Sequence, residues 1–260
     1  MNISIIIPAY NEEKRIGYTL EEYSKFFNRL AKSNKIKYQI LVVINGTIDN
    51  TEKVVKYYKN RYKGIKYLNL KQGGKGIAIT EGFKKSLDGK WDLIGFVDAD
   101  MATSPEEYWK LINSLDNFDG AIADRYIKGS NITPKFSFRR IVVSRIFNIL
   151  VRIMFLLPYK DTQCGAKMFK KEVIKKILYE TTITQWAYDI DLLYNCKKHN
   201  FKIRSVPTNW YEIEGSKLNL KKASIQMFFA VIQLRILKSA FKDSLKIISP
   251  IISRIYKVIQ

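Results

Sequence analysis

The 260-residue sequence is short of the residues that build thiolate metal sites and disulfide scaffolds. It contains two cysteines, Cys164 and Cys196, no CxxC pair and a single histidine, His199. These shortages argue against a structural zinc site and a disulfide-bonded secreted domain, and they favour a reducing compartment. They also leave little scope for a histidine base, since His199 stands in the polar stretch KKHNFK.

Long apolar runs are missing as well. The longest, IVVSRIFNILVRIMFLLP, is interrupted by Ser144, Arg145, Asn148 and Arg152, and it falls short of the roughly 20 apolar residues that a spanning helix requires. The first residues, MNISIIIPAYNEE, have neither a basic segment nor a long apolar one. We therefore expect no signal peptide and no clear transmembrane span.

Acidic residues are too few to balance the basic ones. Asp and Glu number 24 against 45 Lys and Arg, which gives a net charge of +21. Such a charge favours a polyanionic partner, either nucleic acid, an anionic membrane surface or a phosphorylated substrate, without choosing among them. The length and a hydrophobic content of 47% fit one large α/β domain, with or without an appendage.

What the chain does contain is an alternation of short β-branched runs with amphipathic helical segments. The runs predict strands at 3–8, 38–44, 65–70, 91–97 and 120–126. Helical periodicity between them, and again from Ser104, predicts a doubly wound, mostly parallel sheet. In such sheets ligands bind beyond the carboxyl ends of the strands, where this chain has the loops PAYNEE, NGTIDNT, KQGGKG and DADMAT.

Two of these loops carry residues suited to a metal and a phosphate. Asp98 and Asp100 follow the fourth strand, and carboxylates together with substrate phosphate oxygens are the ligands that Mg²⁺ prefers. Their alternative role, as the cap of the next helix, is better filled by Ser104 followed by Pro105. Lys75 in QGGKG precedes a helix and suits an anion, although such glycines are as common in a simple tight turn.

The second half predicts basic amphipathic helices. Residues 138–157 gather Arg140, Arg145 and Arg152 in one arc of a helix and leave the opposite arc apolar. The C-terminal residues 218–260 supply one or two similar helices. These helices either cover a core or lie in a membrane interface. Their basic polar faces, and the domain that already precedes them, favour the interface.

Six sequence blocks occur in the order that characterises a known family. The chain resembles family 2 glycosyltransferases of the GT-A fold over residues 3–240, through SIIIPAYNEEKRI, KQGGKGIAITEGF, FVDAD, DTQCGAKMFKKEV, WAYDIDLLY and NWYEIEGSKL. The last four blocks are similar to the dolichyl-phosphate glucosyltransferase branch, with the dolichyl-phosphate mannose synthases close to it. The resemblance implies a GT-A domain over 1–217, which includes the 138–157 helix, and membrane-interface helices over 218–260.

The resemblance implies a site for a nucleotide-sugar donor and a divalent metal. Lys75 would contact the diphosphate, and Asp98 and Asp100 would hold Mg²⁺ or Mn²⁺. Asn45 stands where the family usually has an acid, which leaves the base preference open. The full implied donor set is Pro8, Ala9, Tyr10, Asn11, Glu12, Asn45, Lys75, Asp98, Ala99 and Asp100.

An acceptor phosphate would be held, on the same resemblance, by Arg125, Arg140 and Lys217. Taken singly, such residues are more often solvated surface charges. Asp161 in DTQCG aligns with a family aspartate near the reacting centre, which implies an orienting or electrostatic role and leaves a base role open. The other acids expected to shape the pocket are Asp191, Glu212 and Glu214.

The resemblance implies an inverting enzyme that transfers glucose from UDP-glucose to dolichyl or another polyprenyl phosphate. We expect it to be peripheral (monotopic) at the cytoplasmic face of a membrane. The alternatives are mannosyl transfer from GDP-mannose and transfer to a soluble, polysaccharide or glycan acceptor. A nucleic-acid partner is disfavoured, because the FVDAD carboxylates would repel phosphate unless a cation intervened.

Overall fold

The computed structural model describes residues 1–33, 36–182, 187–211 and 220–239. Within these residues, seven strands form one sheet in the order β3-β2-β1-β4-β7-β5-β8. They are β1 (Asn2–Ala9), β2 (Lys37–Asn45), β3 (Ile65–Leu70), β4 (Leu93–Val97), β5 (Gly120–Asp124), β7 (Ala166–Lys170) and β8 (Ile203–Pro207). A second, small sheet pairs β6 (Asn131–Thr133) with β9 (Asn209–Tyr211).

Helices connect and cover the strands. Those found in the described residues are α1 (Ile16–Lys32), α2 (Thr51–Arg61), α3 (Lys75–Leu87), α4 (Pro105–Asn113), α5 (Phe138–Phe155), α6 (Lys171–Ile177), α7 (Tyr188–Lys198) and α8 (Leu220–Leu237). The predicted start of α4 is confirmed, since Ser104 accepts from the Glu107 N–H as its cap and Pro105 is the first helical residue.

The sheet is mostly parallel, with one exception. Strands β3, β2, β1 and β4 run parallel, whereas β7 runs antiparallel to both of its neighbours, β4 and β5. The residues that precede β7, the 161–165 segment, therefore lie at the same edge as the carboxyl ends of the parallel strands. This reversal brings DTQCG to the edge at which doubly wound sheets bind ligands.

The strands are continuously apolar because both faces of the sheet are covered. Ile3, Ile5 and Ile7 of β1 are buried in a core with α1 and α4, and Ile6 is buried in a second core with α3, α6 and α7. Successive side chains of a strand point to opposite faces, so an unbroken β-branched run serves two cores at once. The predicted doubly wound, mostly parallel sheet is confirmed.

Helix α5 carries apolar side chains on both its inner and its outer side. Asn148, Val151 and Phe155 face the domain and are buried, whereas Ile146 and Ile153 are 62% and 68% exposed. Val151 and Phe155 cover the second core, and the same helix carries a second set of apolar side chains in solvent, so its contact with a membrane interface stays a prediction. The exposed apolar set, here the α5 ridge, is Phe138, Ile141, Val142, Val143, Ile146, Ile149, Ile153 and Leu156.

Helix α8 is joined to the domain, although the sequence predicted a separate appendage. Its residues Ala230, Val231 and Leu234 are buried in the second core. The predicted boundary between residues 217 and 218 lies outside the described residues, as do residues 240–260. Of the helices within the described ranges, none is both long and apolar enough to cross a bilayer.

Candidate functional site

The candidate site lies at the carboxyl edge of the sheet, around Asp98. This residue follows β4, and its backbone N–H donates to the Gly165 carbonyl at 3.1 Å. Its Oδ1 accepts from Lys75 Nζ at 2.6 Å. Lys75 is the first residue of α3, so its ammonium stands at a helix amino terminus. The structure thus joins the QGGKG and DAD loops into a corner whose positive charge and N–H groups suit a diphosphate.

Gly165 forms the wall behind the Asp98 carboxylate. A Cβ atom at residue 165 would lie 1.7 Å from Asp98 Oδ2 and 2.3 Å from its Cγ, far inside any contact distance. Only glycine leaves room for the carboxylate in the position where Lys75 holds it. The 161–165 segment and the DAD loop are therefore fitted to each other, although sequence inspection assigned Gly165 no role.

Asp100 is the second carboxylate of the site. Its Oδ1 accepts from the Ala102 N–H at 3.0 Å. Burial, followed by the neighbouring charge of Asp98, raises the pKa of Asp100 to about 6. A divalent cation between the two carboxylates would relieve their repulsion, so both residues fit the expected metal. The described residues hold no group of three or more metal-ligating side chains, which leaves the other positions to water and substrate oxygens, as is common for Mg²⁺.

Asn45 connects the loops that surround the candidate site. Its side chain is buried, Nδ2 donates to the Ala9 carbonyl at 3.0 Å, and Oδ1 accepts from the Gly74 N–H at 2.9 Å. The amide therefore ties the ends of β1 and β2 to the glycine loop before α3. The observed contacts of Asn45 hold these loops together, and its contact with the donor stays a prediction.

The first loop brings the rest of the predicted donor set to the same edge. Tyr10 is 55% exposed beyond β1. Asn11 adopts a left-handed conformation, with φ of 53°, and its Oδ1 accepts from the Ile48 N–H at 3.0 Å. Glu12 is held by Arg15 at 2.7 Å. The predicted donor residues at the ends of β1 and β4 are Pro8, Ala9, Tyr10, Asn11, Glu12 and Ala99.

Arg125, predicted to hold the acceptor phosphate, and Asp161, predicted near the reacting centre, form a buried ion pair at the end of β5, here called the acceptor pair after that prediction. Arg125 Nε and Nη2 donate to the two carboxylate oxygens at 2.6 and 3.0 Å, and the side chains are 11% and 0% exposed. Burial alone would raise the pKa of Asp161, but Arg125 brings it below its ordinary value. A carboxylate with a lowered pKa and both oxygens engaged is a poor proton acceptor, which favours an orienting role.

Of the other residues predicted for the acceptor and the pocket, the structure describes two, Arg140 and Asp191. The guanidinium of Arg140 lies over the Phe136 ring, 4.1 Å from its centroid. Asp191, expected in the pocket, instead accepts from Lys238 Nζ at 2.7 Å. Asp191 lies in α7 two residues after Asp189, which pairs with Lys167. Helical residues at that spacing point in different directions. Three predicted residues lie outside the described part of the chain: Glu212, Glu214 and Lys217.

Two charged residues beneath the site were not predicted. Lys167 is fully buried in β7 and donates to Asp189 Oδ1 at 2.5 Å and to the Cys164 carbonyl at 2.7 Å. Its ammonium lies 5.4 Å from the centroid of the Phe96 ring, and that of Lys75 lies 6.0 Å from the same centroid. A charge buried in a sheet requires a partner, but AKMFK was not predicted as a strand, so Lys167 gave no signal from sequence alone.

Comparison with solved structures identifies the class of fold. The chain is similar to glucosyl-3-phosphoglycerate synthase from Mycobacterium tuberculosis, crystallised in complex with Mn²⁺, uridine diphosphate and glucosyl-3-phosphoglycerate. The TM-score is 0.66 at 17% sequence identity, and the match covers 90% of this chain and 79% of the other. The protein therefore has the α/β GT-A fold.

The chain belongs to glycosyltransferase family 2, whose family model matches residues 4–178. It is 35% identical to the dolichyl-phosphate beta-glucosyltransferase of Dictyostelium discoideum over 243 residues, which are 90% of this chain and 73% of the relative. It is 31% identical to the Homo sapiens protein of the same name over 228 residues, 83% of this chain and 69% of the relative. The family inferred from the six sequence blocks is thereby confirmed.

Proposed function

We propose that the protein transfers glucose from UDP-glucose to dolichyl or another polyprenyl phosphate, with inversion, at a membrane surface. Relatives named for glucosyl transfer to dolichyl phosphate support the reaction. One structural observation carries the choice of a lipid acceptor. Helix α5, which packs beside the acceptor pair, has the exposed apolar α5 ridge on its other side.

The inward side of α5 contacts Tyr126 and Thr162, which follow Arg125 and Asp161 in the sequence. Ser144 and Tyr126 share a hydrogen bond of 2.5 Å between their hydroxyl oxygens. Asn148 Oδ1 accepts from the Thr162 N–H at 3.1 Å. A phosphate at the acceptor pair would therefore lie beneath a helix whose outer side suits a lipid phase. This arrangement fits a substrate with a phosphate head and an apolar tail.

An acceptor of this kind needs little help from a base. A phosphate monoester has a second pKa of roughly 6, so it reaches the site as an anion. In the proposed step a phosphate oxygen forms a bond to the anomeric carbon while the bond from that carbon to the UDP oxygen breaks, and UDP leaves. Direct displacement of an α-linked donor gives a β-linked product. Asp161 orients Arg125 towards the phosphate and removes no proton.

A divalent metal, Mg²⁺ or Mn²⁺, is part of this proposal, and Asp98 and Asp100 would hold it. When bound, such an ion acts as a Lewis acid on the diphosphate and stabilises the leaving UDP. The chain's own contribution is Lys75, whose ammonium already lies against Asp98 and would contact the diphosphate from the amino terminus of α3.

The experiment that tests the reaction follows sugar into the lipid phase. The purified chain is incubated with Mn²⁺ or Mg²⁺, a short polyprenyl phosphate and labelled UDP-glucose or GDP-mannose, and lipid-extractable label is counted. We expect label from UDP-glucose, only with metal, and none when the unphosphorylated polyprenol replaces the phosphate. Label from GDP-mannose alone, or label only on an added glucan, would favour the alternative donor or acceptor and contradict the proposal.

Membrane binding through the α5 ridge is a second prediction. Ile146→Glu/Ile153→Glu should bind anionic vesicles at least about tenfold more weakly than the natural chain, because burying each isoleucine in an apolar phase is worth about 1.5–3 kcal/mol. The substitutions also place negative charge against an anionic surface. Flotation with phosphatidylserine-containing vesicles measures the bound fraction.

Tyr57→Glu is the matched control for this variant. Tyr57 is 62% exposed on α2, and α2 covers the sheet face opposite to that of α5. We expect the control to float like the natural chain and both variants to keep the natural unfolding midpoint. Equal flotation of the double variant and the natural chain would exclude α5 as the membrane contact.

A further inference from the structure

We propose that Lys167 is a positioning residue of the transfer reaction. It holds the 161–165 segment in the place where that segment meets both Asp98 and the acceptor pair. The inference rests on the proposed function, because it concerns how the distance between Asp98, on the donor side, and the acceptor pair is maintained. Lys167 acts through Cys164 and Asp189, without contact to a substrate.

A lysine in the middle of a sheet is costly to bury. Lys167 is 0% exposed, and its neighbours in the sheet register are Phe96 of β4 and Ile122 of β5. Its partner Asp189 is itself nearly buried, at 10% side-chain exposure. A buried ion pair is seldom more stabilising than apolar side chains of similar volume, since both charges lose their hydration. Stability alone therefore gives no reason to have this pair.

The contacts of the 161–165 segment supply a reason. Its first residue, Asp161, belongs to the acceptor pair, and its last, Gly165, abuts the Asp98 carboxylate. Between them, the Cys164 carbonyl accepts from Lys167 at 2.7 Å. The ammonium thus fixes the backbone of five residues whose two ends define the acceptor position and the donor position.

Asp189 extends the same anchor to a helix. It is the second residue of α7, and its Oδ1 accepts from the Lys167 ammonium at 2.5 Å. One ammonium therefore joins β7, the 161–165 segment and α7. Because each of its two oxygen partners comes from a different element, loss of the ammonium frees the segment without removing any group that contacts a substrate.

The test separates activity from stability by removing both charges. Lys167→Met/Asp189→Leu replaces the ion pair with apolar side chains of similar size and should leave the unfolding midpoint unchanged or higher. We expect kcat for glucosyl transfer to fall about 10- to 100-fold, with a much smaller change in KM for UDP-glucose, since displacing reacting groups by about 1 Å costs about a hundredfold. A stable double variant with the natural kcat, or a double variant that does not fold, would overturn the proposal.

A conservative variant tests whether Asp189 acts in the chemistry itself. Asp189→Asn keeps an oxygen that accepts from the Lys167 ammonium but removes the negative charge. We expect it to retain most of the natural kcat. A folded but inactive Asp189→Asn variant would assign the effect to the carboxylate and refute a positioning role for Lys167.

The ion pair of Lys198 and Glu180, at the other end of α7, provides the control. Its atoms are 2.7 Å apart, and the side chains are 56% and 32% exposed. Lys198→Met/Glu180→Gln should keep the natural kcat. The natural chain in the same assay separates two failures. If it makes no lipid-linked glucose, the proposed function fails; if it does and Lys167→Met/Asp189→Leu matches it, only the positioning role fails.

Discussion

Asp100→Asn is expected to lower glucosyl transfer by at least about a thousandfold while the protein stays folded. A metal Lewis acid contributes several kcal/mol in a transition state, and about 4 kcal/mol corresponds to a thousandfold in rate. The amide has the shape of the carboxylate but no charge with which to hold a divalent cation. The measurement is the initial rate of lipid-linked glucose formation at saturating Mn²⁺.

The stability of this variant gives an independent readout. Burial and the Asp98 charge raise the pKa of Asp100 to about 6, so the folded state resists ionisation of this carboxylate. A group with a raised folded pKa destabilises the protein at pH values above that pKa, and Asp100→Asn should therefore raise the Tm of the metal-free protein at pH 7. Asp88→Asn, at a 72% exposed side chain after α3, is the control and should change neither quantity. A natural transfer rate in Asp100→Asn would show that Asp100 is not a metal ligand.

Gly165→Ala is expected to have the next largest effect. Its Cβ would lie 1.7 Å from Asp98 Oδ2, so either the carboxylate or the 161–165 segment has to move. Displacement of a metal-holding or acceptor group by about 1 Å costs about a hundredfold in rate, and we expect kcat to fall by that order. Initial rates and the Mn²⁺ concentration for half-maximal activity measure the effect.

A double-mutant cycle identifies whether the Asp98 carboxylate or the 161–165 segment moves in Gly165→Ala. If Gly165→Ala acts by displacing Asp98, it should lower the rate little further in an Asp98→Asn background. Full additivity of the two substitutions would show that the alanine acts elsewhere in the segment. A natural rate in Gly165→Ala would contradict the close fit between the segment and the DAD loop.

The parallel part of the fold could be predicted from sequence because local patterns decide it. Strand β3 begins and ends at the predicted residues, and β1, β2, β4 and β5 begin and end within two residues of the predicted runs. Strand β7 was not predicted. Its sequence AKMFK contains Lys167 and Lys170, and its antiparallel direction depends on pairing with β4 and β5, which no local pattern encodes.

The site likewise contains residues that local sequence patterns place and residues whose contacts such patterns do not reveal. Lys75, Asp98 and Asp100 could be placed at one edge, since each begins a helix or follows a strand. The partners of Arg125 and Asn45 could not, because they lie 36 and 29 residues away along the chain. The sequence presents Asn45 as a neutral replacement for an acid. In the structure its amide donates and accepts at the same time, which an ionised carboxylate cannot do.

The outward direction of the α5 ridge also bears on the lipid tail. A helix is about 10 Å across, so if the ridge contacts a bilayer as proposed, a phosphate at the acceptor pair would lie about one helix diameter from the bilayer surface. The polyprenyl chain would then remain among the lipids while only its phosphate enters the protein. An enzyme of this design needs no tunnel for the tail, and it would glucosylate polyprenyl phosphates of different lengths with similar efficiency.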